Sequence, residues 1–298
     1  MTKKFAAVLA GTGAIFFGIS GVLSSILFAR IAVSPGWLVS ARMFFSGLLL
    51  LAYLLITRQP IFKIWRSWRS AGLVIAFGVL GVCFAQSTFL LSLYYGNAAV
   101  ATILQSLGPA ILILLVAIAK RRLPRWLDIG AVGLSLIGIL LLVTGGKLTS
   151  LVVPTPAFVW GVASAFGIVA YTLIPCPLLE QNNSLTVTGW GLFIGGVAAN
   201  CLTPLTAMPA GFDGLDFLLV AGIVVVGTLL AYAFYVESLN GLDPAVVSML
   251  GTLEPLTATV LSVLCLNVSF CPIQFLGIVL TIVAILLINL PQSVPNSR

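Results

Sequence analysis

The feature that most constrains this chain is a succession of apolar runs separated by short polar connections. A bilayer's hydrocarbon core is ~30 Å thick and takes ~20 helical residues to cross. Within lipid, every backbone N–H and C=O must find its partner inside the protein, which favours helices. Ten runs fit that length, near residues 5–28, 35–57, 70–92, 97–119, 124–144, 154–174, 185–206, 216–239, 243–266 and 271–290. The expected fold is an all-α integral membrane protein with ten transmembrane helices. With 60% hydrophobic and 7% charged residues among 298, and a mean hydropathy of +1.21, too little polar surface remains for a soluble domain. Lys3 and Lys4 precede the first run as they would in a secretion signal. That run continues past signal length without a small-residue cleavage site, so it reads as a retained helix.

An internal duplication organises the runs. Residues 98–109 read AAVATILQSLGP and residues 244–255 read PAVVSMLGTLEP, an offset of 146 at which five of twelve positions are identical. The identical pairs are Ala99/Ala245, Val100/Val246, Leu104/Leu250, Leu107/Leu253 and Pro109/Pro255, and Ser92-Leu93 matches Ser238-Leu239 just upstream. Phe17-Gly18-Ile19 and Phe166-Gly167-Ile168 match at an offset of 149, and Leu123-Pro124 and Cys271-Pro272 open the last run of each half. The sequence thus reads as two five-helix repeats, 1–146 and 147–298. An odd number of crossings sends the second repeat in from the opposite side, which is inverted-repeat architecture. A proline within a helix removes a donor and kinks or breaks the preceding turn. Two related broken helices in corresponding halves point to a transport site, which makes Pro109 and Pro255 gating candidates.

The net charge of +7 follows topology and is not gathered into a nucleic-acid-binding face. Lys3, Lys4, Arg58, Lys63, Arg66, Arg69, Lys120, Arg121, Arg122, Arg125 and Arg298 fall on one side, while Arg30 and Lys147 fall on the other. By the positive-inside rule both termini are expected in the cytoplasm. The stretch RQPIFKIWRSWRS at 58–70 has the makings of an amphipathic segment with Trp65 and Trp68 at headgroup level. Residues 207–216 read as an outer loop, with Asp216 available as a helix cap. Gly191 and Gly195, four apart, read as a close helix contact. The five cysteines have no metal-type spacing and read as packing residues, although Cys265 and Cys271 share the outer side, where they have the option of pairing.

The chain has no histidine, which removes the commonest general base and proton relay. Gly145-Gly146-Lys147 lacks the rest of a phosphate-binding loop. No acid pair has metal-ligand spacing, and no serine has a basic partner. An enzyme reading therefore has little to work with, and a membrane enzyme or an assembly partner stands only as the alternative to transport. No cofactor or metal is implied. The implied partners are a small-molecule substrate and the surrounding lipids, with no nucleic acid and no oligomeric state specified.

Two charges lie inside runs, and burying a charge at the helix centre costs ~2.5–3.5 kcal/mol on the insertion scale. Arg42 sits ~10 Å below the outer surface and Glu254 ~16 Å from the inner one, at 1.5 Å per residue. Both must therefore face protein or water. Arg42 suits either binding of a carboxylate or a structural clamp on helix-end carbonyls, and Glu254 either protonation-linked gating or anchoring of the Pro255 kink. The faces Thr102/Ser106 and Ser248/Thr252 are equivalent in the duplication, as are the pairs Gln86/Tyr232 and Phe89/Tyr235. Ser and Thr at such positions either line a cavity or bond back to their own helix. Trp160 and Ser164 share a face of the sixth run, where Trp160 serves either a cavity or the interfacial belt.

The arginine within SARMFF in the second run, with SLGP and TLEP in the fourth and ninth, resembles the drug/metabolite transporter superfamily, EamA type, over essentially the whole chain. It is most similar there to the YddG-type aromatic amino acid exporters. The resemblance implies inner-membrane export of small metabolites by alternating access around a central cavity, without a cofactor. Its arginine carries over to Arg42 and its glutamate-proline pair to Glu254-Pro255. Gly108 stands opposite Glu254, leaving a single acid for any proton coupling. Phe17 replaces the family's common tryptophan, which puts a cavity role for that ring in question. A cavity of rings and hydroxyls with one cation suits aromatic and apolar amino acids, and drugs or other hydrophobic metabolites are the alternative cargo.

Overall fold

The computed structural model describes residues 2–120, 126–146, 152–238, 241–242 and 244–288. Among them every regular element is helical and there is no strand. The α-helices are α1 Lys3–Arg30, α2 Pro35–Ile56, α3 Trp68–Ala76, α4 Phe84–Tyr95, α5 Ala98–Gln105, α6 Gly108–Lys120, α7 Trp126–Thr144 and α8 Thr155–Leu173. They continue as α9 Cys176–Leu179, α10 Ser184–Leu202, α11 Gly214–Val224, α12 Ala231–Ser238, α13 Pro244–Gly251, α14 Leu253–Leu266 and α15 Pro272–Ile288. Seven continuous stretches are long and apolar enough to cross a membrane: Lys3–Arg30, Pro35–Ile56, Trp68–Tyr95, Ala98–Leu115, Thr155–Leu179, Ser184–Leu202 and Gly214–Ser238. The remaining expected runs fall on shorter apolar helices, Ile129–Thr144, Leu253–Leu266 and Pro272–Leu287. Arg121, Arg122, Pro124, Arg125, Lys147 and Arg298 lie outside the described residues, as does the side chain of Ser248.

Local chemistry accounts for where the helices begin. Ser34 accepts from the Trp37 N–H with Pro35 in the first turn, and Asn97 and Asn183 likewise cap α5 and α10. At α11 the cap is Asp213 rather than Asp216. Asp213 accepts from the Asp216 N–H and Asp216 accepts from the Asp213 N–H, a reciprocal capping box that moves the expected cap three residues upstream. Arg30 closes over both carboxylates, with Nε 2.8 Å from Asp216 and Nη2 2.9 Å from Asp213, tying the end of α1 to the start of α11.

Both expected proline breaks are present. Pro109 lies at the start of α6 after a turn at Ser106-Leu107, and Leu107 N bonds three residues back to Leu104 O at 3.1 Å. Pro255 lies at the start of α14 after Thr252. Each proline ring leaves the carbonyl four residues earlier, Gln105 O or Gly251 O, without its helical donor. A second matched irregularity was not anticipated: π-helical turns join α3 to α4 over Phe77–Cys83 and α11 to α12 over Val225–Leu230.

The packing exchanges partners between the two parts of the chain. α2 lies against α10 and α7 against α15, while α1 packs on α12 and α14 and α8 packs on α4 and α5. At the α2–α10 crossing, a Cβ on Gly47 would meet the Phe193 backbone and one on Gly196 would meet the Phe44 backbone. Both pairs, Phe44/Phe193 and Gly47/Gly196, stand 149 residues apart, the offset of the Phe-Gly-Ile match. Their rings pack at 5.4 Å between centroids. Gly191 and Gly195 make the close contacts expected of them, against the Phe77 ring and against Met43 and the Gly78 carbonyl. All five cysteines are free, so Cys265 and Cys271 do not pair, and only Cys83 is buried.

Candidate functional site

The site is assembled outward from Arg42 and Glu254, the two charges that fall within apolar runs. Arg42, on α2, is 2% exposed, and its Nε donates to Thr228 Oγ1 at 3.2 Å. Thr228 sits in the second π-turn and donates in turn to Ile223 O, five residues back, at 2.9 Å. Ser46 Oγ takes the neighbouring Val224 carbonyl at 2.8 Å. The wide turn, whose hydrogen-bond pattern is displaced from the ordinary helix, thus holds the arginine through one hydroxyl. Arg42 Nη1 is buried and has no hydrogen-bond partner among the described residues. A guanidinium nitrogen left unpaired in the interior is costly and stands ready for an acceptor. Ser20 Oγ, packed on Gly227 beside Thr228, is unpartnered as well.

Around this cation stands an aromatic wall with hydroxyl tips. Tyr232 Oη accepts from Gln86 Nε2 at 3.0 Å, joining two residues that are equivalent in the duplication. Phe17 meets the Tyr232 ring edge-on at 4.9 Å and the Tyr235 ring at 6.3 Å. Tyr171, from α8, lies 6.2 Å from Tyr232 and 5.4 Å from Phe77. Glu254, half-buried at the head of α14, lies within electrostatic range of Arg42, Tyr232 and Tyr235. It is not ion-paired with Arg42: among the described residues the ion pairs are those of Arg30. Gly18 lets α1 approach closely here, since a Cβ would stand 2.7 Å from Glu254 O.

The expected site residues therefore divide. Arg42, Gln86, Tyr232, Tyr235 and Glu254 come together, with Pro255 buried beside them. Thr102 and Ser106 instead bond back along their helix, Thr102 to Ala98 O at 2.9 Å and Ser106 to Thr102 O at 2.7 Å. Ser164 does the same to Gly161 O at 2.7 Å. These hydroxyls satisfy themselves within their own turns, the alternative their residue types carried. Thr252 is buried at the α13–α14 break, while Trp160 and Pro109 are half-buried.

Thr228, Tyr171 and Ser20 were not singled out from sequence. Thr228 breaks the otherwise apolar run VVVGTLLAYAF, a signal of the same kind as Gln86. Tyr171 has no polar counterpart at the 149 offset, where Val22 stands, so the duplication is silent about it. Phe17, despite its departure from the family pattern, belongs to the wall.

The chain as a whole resembles known proteins. The chain matches the EamA-like transporter family over residues 4–144 and again over 155–290. It is 35% identical over 280 residues, 93% of this chain and 92% of the relative, to an uncharacterized inner membrane transporter, YicL, of Salmonella typhimurium. Over 109 residues, 35% of this chain and 36% of the relative, it is 33% identical to Protein PecM of Dickeya dadantii. Among solved structures, one described only as the crystal structure of a protein superposes with a TM-score of 0.66, covering 95% of each chain at 15% identity, a likeness of fold alone. Apolar helices of crossing length, a broken repeat motif and a family match spanning both parts of the chain lead to one conclusion: this protein is a membrane transporter belonging to the EamA-like transporter family.

Proposed function

We propose that the chain exports small amphiphilic metabolites, foremost aromatic and other apolar amino acids, across the inner membrane by alternating access. In this reading the seven long and three shorter apolar helices are ten crossings in two inverted five-helix repeats, 1–146 and 147–298, with both termini in the cytoplasm. The exchange of partners between α1 and α8, and the paired glycines of the α2–α10 crossing, support the repeat relation. The cation bias of the described connections supports the orientation.

One observation carries the substrate class: the buried Arg42 leaves Nη1 unpaired beside an aromatic wall tipped by Gln86 and the tyrosine hydroxyls. A guanidinium nitrogen answers a carboxylate, and the Phe17, Tyr171, Tyr232 and Tyr235 rings answer an apolar or aromatic side chain. Glu254 supplies the opposite charge for an ammonium group. Multiply anionic substrates meet a single interior cation and are disfavoured.

The test is competition of unlabelled metabolites against labelled Phe or Trp uptake in proteoliposomes of the purified chain. Aromatic and large apolar amino acids should compete and nucleotides should not. Arg42→Ala should abolish uptake, and Arg42→Lys should restore part of it by keeping the charge without the planar fork. Saturable flux that amino acids leave untouched and apolar drugs inhibit would replace the amino acid reading with the drug-export one.

A further inference from the structure

A concave surface lies away from this site, on the connection between α2 and α3. It is a cavity of about 240 Å³ lined by Gln59, Pro60, Ile61, Phe62, Lys63 and Arg66. The chain is shaped to hold it. α2 stops at Thr57, Arg58 turns into the left-handed region at φ 57, and Gln59 N returns to Leu54 O at 2.9 Å. Pro60 then leads into a 3₁₀ turn, Ile61–Arg66. One face of that turn is pinned: Ile61 and Ile64 are buried, and Ile61 O accepts from Trp190 Nε1 of α10 at 2.9 Å. The other face presents Phe62, Lys63 and Arg66, followed by Trp68, which is 95% exposed, and Arg69.

The chemistry of that face is specific. Lys63 Nζ spends one donor on Gln181 O at 3.0 Å, and an ammonium group has three. The Arg66 side chain, which lines the cavity, makes no hydrogen bond or ion pair among the described residues, leaving its planar fork open, a geometry that fits a phosphate. The connection 58–70 carries four cations, Arg58, Lys63, Arg66 and Arg69, and no acid. Just before the cavity in the chain, the end of α2 exposes Tyr53, Leu55 and Ile56, apolar surface adjoining the cations. Exposed aromatic rings at this level suit the headgroup region. Cations, cavity and apolar surface together match one occupant with a phosphate at one end and hydrocarbon at the other.

We propose that Lys63 and Arg66 form a headgroup site for an anionic glycerophospholipid whose acyl chains lie along the exposed end of α2. The inference stands apart from the transported substrate and from the side of the membrane on which the connection lies. The site also ties lipid to the contact between the two parts of the chain, since its turn is held by Trp190 and Gln181 of the second.

The test is native mass spectrometry of the full chain in detergent with equal amounts of phosphatidylglycerol and phosphatidylcholine, counting lipid retained as collision energy rises. Phosphatidylglycerol should be retained preferentially, and removing either site cation, Lys63 or Arg66, should weaken that preference about five-fold, the effect of one basic residue at an anionic surface. Lys63→Gln/Arg66→Gln should therefore lose it, Lys63→Arg/Arg66→Lys should keep it, and Arg69→Gln, outside the cavity, should leave it largely intact. Arg66→Gln alone decides the matter if the double variant fails to fold. Equal loss on Arg69→Gln would mean diffuse attraction and overturn a built site, as would undiminished preference in Arg66→Gln. Displacement of the lipid by millimolar inorganic phosphate would identify a small-anion site and overturn the lipid assignment.

Discussion

Replacing Gly196 with alanine tests the crossing that joins the two parts of the chain. The added Cβ would stand 2.5 Å from Phe44 Cα, where ordinary contact begins at 3.4 Å, so α2 and α10 must part locally by the difference, about 0.9 Å. The obstacle is backbone, which cannot rotate aside as a side chain would. Overpacking of this kind costs ~1–3 kcal/mol, while alanine in a helix returns ~0.5–1 kcal/mol over glycine, so the net loss is ~0–2.5 kcal/mol and Gly196→Ala falls ~1–3 kcal/mol below a helix alanine free of the clash. Gly47→Ala should behave alike, because its Cβ would stand 2.6 Å from Phe193 Cα. Gly72→Ala is the control: nothing lies within 4 Å of its Cβ, so only the propensity gain of ~0.5–1 kcal/mol remains. Unfolding in mixed micelles with increasing SDS, followed by tryptophan fluorescence, resolves differences of this size. If Gly196→Ala is stabilised as much as Gly72→Ala, backbone approach does not set this crossing and the reasoning fails.

Two further outcomes are expected. Glu254→Gln should lower uptake by removing the charge that meets the ammonium group, while the flux that remains keeps its response to a pH gradient, because Gly108 stands at the matching position and no second acid or histidine in the described cluster forms a relay; a folded variant that keeps its uptake and loses only that response would make Glu254 the proton carrier. Asp216→Asn should lower the thermal midpoint more than Asp213→Asn, since the Asp216 side chain is 1% exposed and the Asp213 side chain 56% while both bind Arg30; equal effects in differential scanning fluorimetry would show that burial does not govern this contact.

The helical class and the two prolines were legible because lipid removes the alternatives to helix and because proline cannot donate its hydrogen bond wherever it stands. The equivalence of Gln86 with Tyr232 was legible too, as an offset in the sequence, and Arg42 and Glu254 stood out as the charges within apolar runs. What required the tertiary structure was which faces meet. Thr102, Ser106 and Ser164 carry the same hydroxyl as Thr228, yet they bond to their own turns while Thr228 holds Arg42, because only Thr228 sits on a π-turn packed against α2. The π-turns themselves have no sequence signature comparable to a proline, since they shift hydrogen-bond partners without removing a donor. Tyr171 enters the cluster from α8 with no counterpart in the duplication. The cap of α11 falls three residues from its expected place because Asp213 and Asp216 cap reciprocally. Periodicity and composition specify how each segment meets lipid, whereas a binding site depends on the relative rotation of packed helices, which side-chain interlocking in three dimensions decides.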